Sequence, residues 1–468
     1  MASNMDEKKW HHHTNDSERV SSGPQSPGVV SEKYADTVNE EDDEMARKEG
    51  KSGIGGAAFN MSKTIVGAGV FGLPAAIHKS GFVTCIVLLI VLAIVVDWTI
   101  LTLIRTGVMS GVTSYKTLVQ KNFGKAGMIF YAAAAFLFAF GGMTAYSVVI
   151  GDTIPVIIRA ATGFTDDVDI MNGGLLTRFF MDRRVIVALT SFLVLLPASA
   201  PKRISKMSWT SFTGLAAVVF IIFVVVIQGN LLPAELKGPR ENIFTIIHPA
   251  GISSAIGTMS FAYVCHHNQF VIYRSIKNTS VKRYAIVDHL SLGYALVMSL
   301  FIGIGGYIAF TSESKGNIIK NLPTNMLIAN IARAAFAIDM FFTYPLELYI
   351  ARDVIREVFH PKVKELSNVW HYSYTIALVV ATTSIAVATC NLGFVFDITG
   401  GLAASVIAFI LPSACYLKTV GGPFALCKIP HILCVMFGFT IMGLTSYTSI
   451  KAAFFADEVA GVCPNQYL

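Results

Sequence analysis

Long apolar segments recur along most of the chain, separated by short polar loops that hold most of its charged residues. One crossing of a bilayer needs about 20 apolar residues in a helix, because the hydrocarbon core is about 30 Å thick. The expected fold class is therefore an all-α membrane protein. The pattern predicts eleven spans, which begin near Ile54, Phe82, Gly127, Val185, Thr210, Gly251, Tyr284, Met326, Ser373, Leu392 and Ile429.

The two ends of the chain depart from this pattern. Residues 1–52 are polar, with an acidic run and no long apolar segment, so we expect a disordered tail there. Residues 53–452 form the predicted transmembrane domain, and residues 453–468 form a short tail beyond it. Lysine and arginine gather on the cytoplasmic side of membranes. They are more frequent in the loops on the amino-terminal side, which predicts a cytoplasmic amino terminus and an extracytoplasmic carboxyl terminus.

Composition narrows the class of function. With 53% hydrophobic and 14% charged residues, the chain lies outside the range of soluble domains. The net charge of +6 comes from short clusters between apolar segments, so no nucleic-acid partner is expected. The sequence contains neither HExxH nor GxSxG, and an enzyme is not expected. The seven cysteines lack metal-ligand spacing and are predicted to be packing residues.

Two of the predicted spans are interrupted. Residues 59–74 place three glycines and a proline at the middle of the first span, and residues 257–269 place a polar block inside the sixth. Free backbone groups at this depth are tolerated where they line a cavity or bind a ligand. Close helix packing is the alternative for the glycines. Interrupted spans five apart predict an inverted five-plus-five repeat with a midplane substrate site.

The chemistry of such a site suits an amino acid. The amino end of a half-helix offers N–H groups to a carboxylate, and the carbonyl end suits an ammonium group or a small cation. A zwitterion supplies both charges without needing charged side chains. The substrate-binding residues predicted on the two broken spans are Val66, Gly67, Ala68, Gly69, Phe261, Ala262 and Tyr263.

Residues 66–74, VGAGVFGLP, resemble the first-span signature of the amino acid/auxin permease family. Residues 259–268, 342–347 and 411–417 resemble its sodium-coupled neutral amino acid transporter branch, and the resemblance extends over about residues 53–452. It implies eleven spans, a LeuT-like core, and transport of small neutral amino acids coupled to a sodium gradient. The bilayer, the amino acid and the coupling ion are then the expected partners, with no other cofactor.

One residue departs from that branch. Its members place an asparagine in the first span where this chain has Lys63, opposite a threonine that corresponds to Thr343, and the family links both positions to sodium. An ammonium group at Lys63 could replace the cation and make transport proton-coupled, since buried lysines release protons readily. Alternatively, Lys63 extends to the cytoplasmic surface. Thr343 is the preferred sodium ligand.

Other polar residues in the spans are further candidates. Asp339, Thr343 and Glu347 are spaced four apart and share one face of the eighth helix, and Asp339 is assigned to ion coupling. His266 and His267 could accept a proton, or they could simply line the site.

Five acidic residues fall within the predicted spans, where a charge costs roughly 2.5–3.5 kcal/mol, so each should face the bundle interior or an aqueous path. Asp97 and Asp288, with His289 beside it, are given no specific role. The five are Asp97, Asp288, Asp339, Glu347 and Asp397.

Two questions about function stay open. The same fold could serve as an amino-acid-sensing receptor that signals through its amino-terminal tail rather than moving substrate. The membrane could be the plasma membrane or a lysosomal or vacuolar membrane.

Overall fold

The computed structural model describes residues 50, 52–164, 167–202, 208–240, 243–363, 365–422 and 425–455. The predictions for residues 1–49 and 456–468, which make up most of the two tails, lie outside the described residues. Nearly all of the described chain is helical, as the apolar pattern predicts.

Eight helices of the described chain are long and apolar enough to cross a membrane. They supply the second, third, fifth and seventh to eleventh spans. Their bounds are Phe82–Ser110, Tyr115–Thr162, Phe212–Leu231, Val281–Glu313, Leu327–Phe359, Asn368–Ala388, Leu392–Val420 and Leu426–Ser449.

Three shorter or interrupted segments occupy the remaining positions, which is consistent with eleven spans in all. The first span consists of Ile54–Ile65 and Leu73–Ser80, and the sixth of Ile252–Tyr263 and Gln269–Ser275. The fourth is a single helical run made of Arg183–Thr190, the π-helical Ser191–Leu195 and Leu196–Ser199.

Two long helices deviate locally from regular α geometry. The helix of the third span begins at Tyr115 and kinks at Gly124, whose φ of 64° is left-handed and suits glycine. The tenth span contains a π-helical stretch, Thr399–Ile410, between two α-helical ends. Such stretches are frequent at functional sites, because they widen the helix and redirect its side chains.

The first span breaks where the glycines predict. Its helix ends at Ile65, Val66 and Gly67 leave helical geometry, and a 3₁₀ turn over Ala68–Gly72 leads into the second half. Pro74 lies in the first turn of that second half, where its missing N–H group has no helical partner to lose. The break therefore follows from local sequence.

The sixth span breaks at the predicted polar block. Its first half ends at Tyr263, and Val264 is extended with a ψ of 119°. A short 3₁₀ turn, His266–Asn268, then leads into the second half. The two breaks lie next to each other, because a Cβ on Gly69 would come within 2.8 Å of the Ala262 Cα.

Polar contacts join the first span to the sixth at one end of the bundle and to the tenth at the other. On the amino-terminal side, the Ser52 N–H group donates to the Ser275 carbonyl over 3.0 Å, and Lys277 N–H donates to the Ser52 carbonyl over 2.9 Å. These bonds join the start of the first span to the end of the sixth. At the opposite end, Lys79 of the first span contacts Asp397 of the tenth over 3.0 Å.

The cysteines follow the prediction with two corrections. Four free thiols are buried, at Cys85, Cys265, Cys415 and Cys434, as expected of packing residues. The thiol of Cys427 is exposed, and Cys390, between the ninth and tenth spans, is disulfide-bonded, so the interpretation of these two as packing residues is wrong. Regular cysteine spacing identifies metal sites, but it does not mark a single disulfide-bonded cysteine.

Candidate substrate and ion site

The break in the first span borders open space at one glycine. A Cβ built on Gly67 would meet no atom within 4 Å, whereas a Cβ on Gly69 would come within 3.0 Å of Phe261 as well as contacting Ala262. The alternative of close packing therefore describes Gly69, and Gly67 is the position with room beside it for a ligand. Val66, Ala68 and Tyr263 are buried around the breaks.

Aromatic rings from three spans surround the same region. Phe261 stacks on Phe396 of the tenth span with ring centroids 4.7 Å apart, and it lies 5.5 Å from Phe138 of the third. Phe138 also contacts the His267 ring at 5.4 Å. Sequence reasoning missed Phe138 and Phe396, because nothing in an apolar segment marks which of its aromatic residues faces the break.

The ammonium group of Lys63 binds the carboxylate of Asp339. Its Nζ lies 2.9 Å from both carboxylate oxygens, although the two residues are 276 positions apart in the sequence. The Thr343 hydroxyl donates to the Asp339 carbonyl over 2.8 Å and lies 3.4 Å from one carboxylate oxygen. The structure thus brings together Lys63, Asp339 and Thr343, three of the predicted ion-coupling residues.

This ion pair is enclosed by protein. The Asp339 side chain is 2% exposed and that of Lys63 is 14% exposed. Gly214 of the fifth span lies directly over the pair, since a Cβ there would come within 2.2 Å of an Asp339 oxygen and 2.6 Å of the Lys63 Nζ. Lys63 therefore extends toward the eighth span and not to the cytoplasmic surface. Sequence spacing alone does not reveal the role of Gly214.

The two predicted histidines occupy a different place. His266 is buried, and its Nε2 lies 3.0 Å from the hydroxyl of Thr99 in the second span. Within the described part of the chain, the Nδ1 atoms of His266 and His267 have no hydrogen-bond partner. Both histidines lie within the break in the sixth span, in the 3₁₀ turn that joins its two halves, and neither is hydrogen-bonded to the Lys63–Asp339 pair among the described residues.

A second buried carboxylate joins the broken spans to the tenth. Asp397 accepts hydrogen bonds from Thr258 and Ser254 of the sixth span, in addition to its contact with Lys79. Lys79 also donates to the Ser254 hydroxyl over 2.9 Å. The prediction that Asp397 faces the bundle interior is confirmed, but the sequence does not predict its three partners.

A third carboxylate connects the third span to its neighbours. Asp152 lies 3.4 Å from Arg183 of the fourth span and 3.2 Å from Lys320 in the segment before the eighth. Arg183 in turn donates to the Ala386 carbonyl of the ninth span over 2.8 Å. This cluster holds the connecting segment against the outer part of the bundle.

The family of the chain follows from comparison with known proteins. A family model described as "Transmembrane amino acid transporter protein" matches residues 50–451. The chain belongs to this family. It is therefore a membrane transporter and not an enzyme, and the resemblance to amino acid/auxin permeases is confirmed.

Individual relatives agree in extent as well as in identity. Vacuolar amino acid transporter 2 of Saccharomyces cerevisiae is 31% identical over 445 residues, which cover 93% of this chain and 91% of that protein. Putative sodium-coupled neutral amino acid transporter 11 of Danio rerio is 32% identical over 373 residues, 80% of each chain.

One solved structure shows the fold. The crystal structure of MhsT in complex with L-phenylalanine matches with a TM-score of 0.52 at 12% sequence identity, over 86% of this chain and 99% of that one. The likeness confirms the predicted LeuT-like architecture with broken first and sixth spans.

Proposed function

We propose that this chain is a secondary active transporter of small neutral amino acids, driven by a proton gradient. The observation that carries the choice of ion is the contact of Lys63 with both oxygens of Asp339. The sodium coupling that the resemblance implies becomes the alternative.

Several features support an amino acid as the substrate. The family and both relatives are named for amino acid transport. Gly67 leaves open space at a helix break, where backbone groups suit the two charges of a zwitterion. Lys63 and Asp339, which lie nearby on the first and eighth spans, bind each other, so neither is free to pair with a charged substrate side chain. A neutral side chain next to Phe261 fits this setting.

Electrostatics argue against sodium at Thr343. The Lys63 ammonium group already supplies one positive charge to the Asp339 carboxylate. A second monovalent cation about 4 Å away would be repelled by about 4 kcal/mol at an effective dielectric constant of 20. Relative to the same site with the Asp339 carboxylate unpaired, that energy corresponds to about a thousandfold loss of sodium affinity. If sodium does not bind at Thr343, uphill transport needs another source of energy. A proton gradient is the alternative to sodium that the sequence analysis raises for Lys63.

The orientation and compartment are part of this proposal. We place the amino terminus in the cytoplasm and the protein in a vacuolar or lysosomal membrane. The long match to a vacuolar relative supports the compartment. Cys390 supports the orientation, because it follows the ninth span on the side opposite Ser52, and disulfides belong to oxidising compartments.

The test is uptake of labelled glutamine and alanine into proteoliposomes under an imposed proton gradient and, separately, an imposed sodium gradient. We expect the wild type to respond to protons alone. We expect Lys63→Asn to respond to sodium, because it leaves the buried Asp339 carboxylate without its ammonium partner. Lys79→Asn is the matched control, since Lys79 pairs with a different carboxylate.

Two results would contradict the proposal. Sodium-driven uptake by the wild type would restore the coupling that the resemblance implies. Substrate binding without uptake under either gradient would favour the receptor alternative.

A further inference from the structure

Asp288 of the seventh span is an acid without a partner. Its side chain is 0% exposed, and neither carboxyl oxygen has a hydrogen-bond partner in the described part of the chain. Sequence analysis gives this residue no role. In a natural structure, a buried polar group with both oxygens unpaired calls for a specific explanation.

The surroundings of Asp288 disfavour a negative charge. An ionised carboxylate buried without a partner costs several kcal/mol even after the protein relaxes, whereas an unpaired neutral group costs about 1–3 kcal/mol. Asp97 of the second span, which is hydrogen-bonded to the neighbouring His289, has the same sign of charge and offers Asp288 no neutralising partner. The protonated, neutral side chain is therefore the less costly state of Asp288 in this setting.

Cations are present on neighbouring elements, but no lysine or arginine of the described chain is hydrogen-bonded to Asp288. The fifth span, Ser208–Leu231, has no ionisable residue, and the first half of the first span has only Lys63, which binds Asp339. The second half of the first span packs against the far end of the seventh. The remaining ionisable groups of the elements around Asp288 are Cys85, Asp97, Arg105, Tyr263, Cys265, His266, His267, Tyr273, Arg274, Lys282, Arg283, Tyr284, His289, Tyr294 and Tyr307, with His78 and Lys79 at the far end.

A route for the proton lies beside Asp288. The next residue, His289, places its Nδ1 2.7 Å from an Asp97 carboxylate oxygen. The His289 side chain is 57% exposed and that of Asp97 is 22% exposed, so this pair reaches the outer surface of the bundle from the helix position next to Asp288. Imidazole gains and loses protons near neutral pH, which suits it to pass a proton on.

The depth of His289 fits this role. The seventh helix has 30 residues and is about 45 Å long, so it exceeds a hydrocarbon core of about 30 Å and projects about 7 Å at each end if centred. His289 lies eight residues after the first residue of the helix, or about 12 Å along it. It is therefore about 5 Å inside the core boundary, within reach of the interface on the amino-terminal side.

The helix that carries Asp288 is hydrogen-bonded to the sixth span next to its break. One turn earlier on the same helix, Tyr284 donates a hydrogen bond to Gln269, the first residue of the second half of the sixth span. Gln269 donates in turn to the Cys265 carbonyl over 3.0 Å. Movement of this half-helix would change access of water to Asp288, and water is what lowers the cost of ionising it.

We propose that Asp288 is a proton-binding site of the transporter, loaded and unloaded through the Asp97–His289 pair. The proton is held while the seventh span packs on the sixth, and it is released when the second half of the sixth span moves away. The part of this proposal that concerns transport rests on the proposed proton coupling. The existence of the proton site does not.

The first measurement is difference infrared spectroscopy of the purified protein over a pH titration. We expect the carbonyl band of protonated carboxylic acids in the wild type at neutral pH. The band should lose intensity in Asp288→Asn, and any remainder should disappear when Glu347→Gln is added, because the Glu347 Oε2 is also buried without a partner among the described residues. We expect the pH midpoint of the band to move toward acid in Asp97→Asn, because a repelling charge is removed. Ser299→Ala, a change at another buried polar residue of the same helix, is the matched control and should leave the band unchanged.

The second measurement is proton movement per amino acid transported, with a pH-sensitive dye inside proteoliposomes. Asp288→Asn mimics the protonated side chain, so it should fold and exchange labelled for unlabelled amino acid while proton movement is lost. An infrared band of undiminished intensity in Asp288→Asn would overturn the site. Proton movement equal to that of the wild type would overturn its part in coupling. If no variant transports amino acid, the proposed function fails, and the infrared result still decides the site.

Discussion

Removal of either partner of the Lys63–Asp339 pair should destabilise the protein, while removal of both should not. Loss of one partner of a buried ion pair costs about 3–5 kcal/mol, because the remaining charge is left unpaired. Lys63 retains 14% exposure, so we take the lower limit, about 3 kcal/mol. At about 2.1 cal/mol/K per residue over roughly 400 residues, this corresponds to a decrease in Tm of about 4 °C.

The assay is thermal unfolding of the purified protein in one detergent, for Lys63→Met, Asp339→Asn and the double variant. Each single variant should unfold about 4 °C below the wild type. The double variant should return close to the wild-type Tm, because it leaves no unpaired charge. The interaction energy, which is the change in the double variant minus the sum of the two single changes, should then be about 6 kcal/mol in magnitude. Lys79→Met is the control for loss of a lysine from a more exposed pair.

The result that refutes this reasoning is additivity. If the double variant unfolds at the temperature expected from the sum of the two single changes, the 2.9 Å contacts do not represent a coupled pair. A sodium ion bound at Thr343, in place of the Lys63 ammonium group, would then be the better explanation of the site.

Three further variants test the same core. Gly214→Ala should separate the ion pair, because its Cβ would lie 2.2 Å from an Asp339 oxygen, and we expect a lower Tm and lost proton-driven uptake. Gly67→Ala should fold normally, since its Cβ meets no atom within 4 Å, but it should raise the KM for the amino acid by occupying the open space beside the break. Gly69→Ala should instead reduce the folded yield on size-exclusion chromatography, because its Cβ would contact Ala262 and Phe261 too closely. Asp397→Asn should weaken the contact that Asp397 of the tenth span makes with Lys79 of the first span and Thr258 of the sixth. Cysteines introduced near Lys79 should then be labelled faster by a thiol reagent, and an unchanged labelling rate would contradict the prediction.

The breaks in the first and sixth spans could be predicted because their causes are local. Glycine and proline disfavour continuous helix wherever they occur, so Gly67 and Pro74 mark the first break without knowledge of any neighbour. The polar run that ends at Gln269 marks the second in the same way. The departure at Lys63 could also be noticed without a structure, because the family that the sequence resembles has an asparagine at that position.

The partners of these residues could not be predicted in the same way. Sequence analysis leaves Lys63 with two interpretations, because its contact depends on how the first span is rotated against the eighth. The bond to Asp339 joins residues 276 positions apart, and Gly214 admits the pair only because the fifth span crosses there. For Asp288, nothing in its neighbourhood along the chain distinguishes it from Asp397. Yet Asp288 has no hydrogen-bond partner among the residues that the structure describes, whereas Asp397 accepts from three side chains.

The sequence by itself determined the membrane class, the order of the spans, the two breaks and the family, because apolar length, glycine content and short motifs act over a few residues. Only the tertiary structure decided that Lys63 binds Asp339 and that Gly67 borders open space while Gly69 packs closely. It also decided that Asp288 is buried without a hydrogen-bond partner in the described part of the chain. The physical reason is that a charge or cavity inside a bundle is defined by the faces that several helices present to one another. Those faces meet only after the chain has packed.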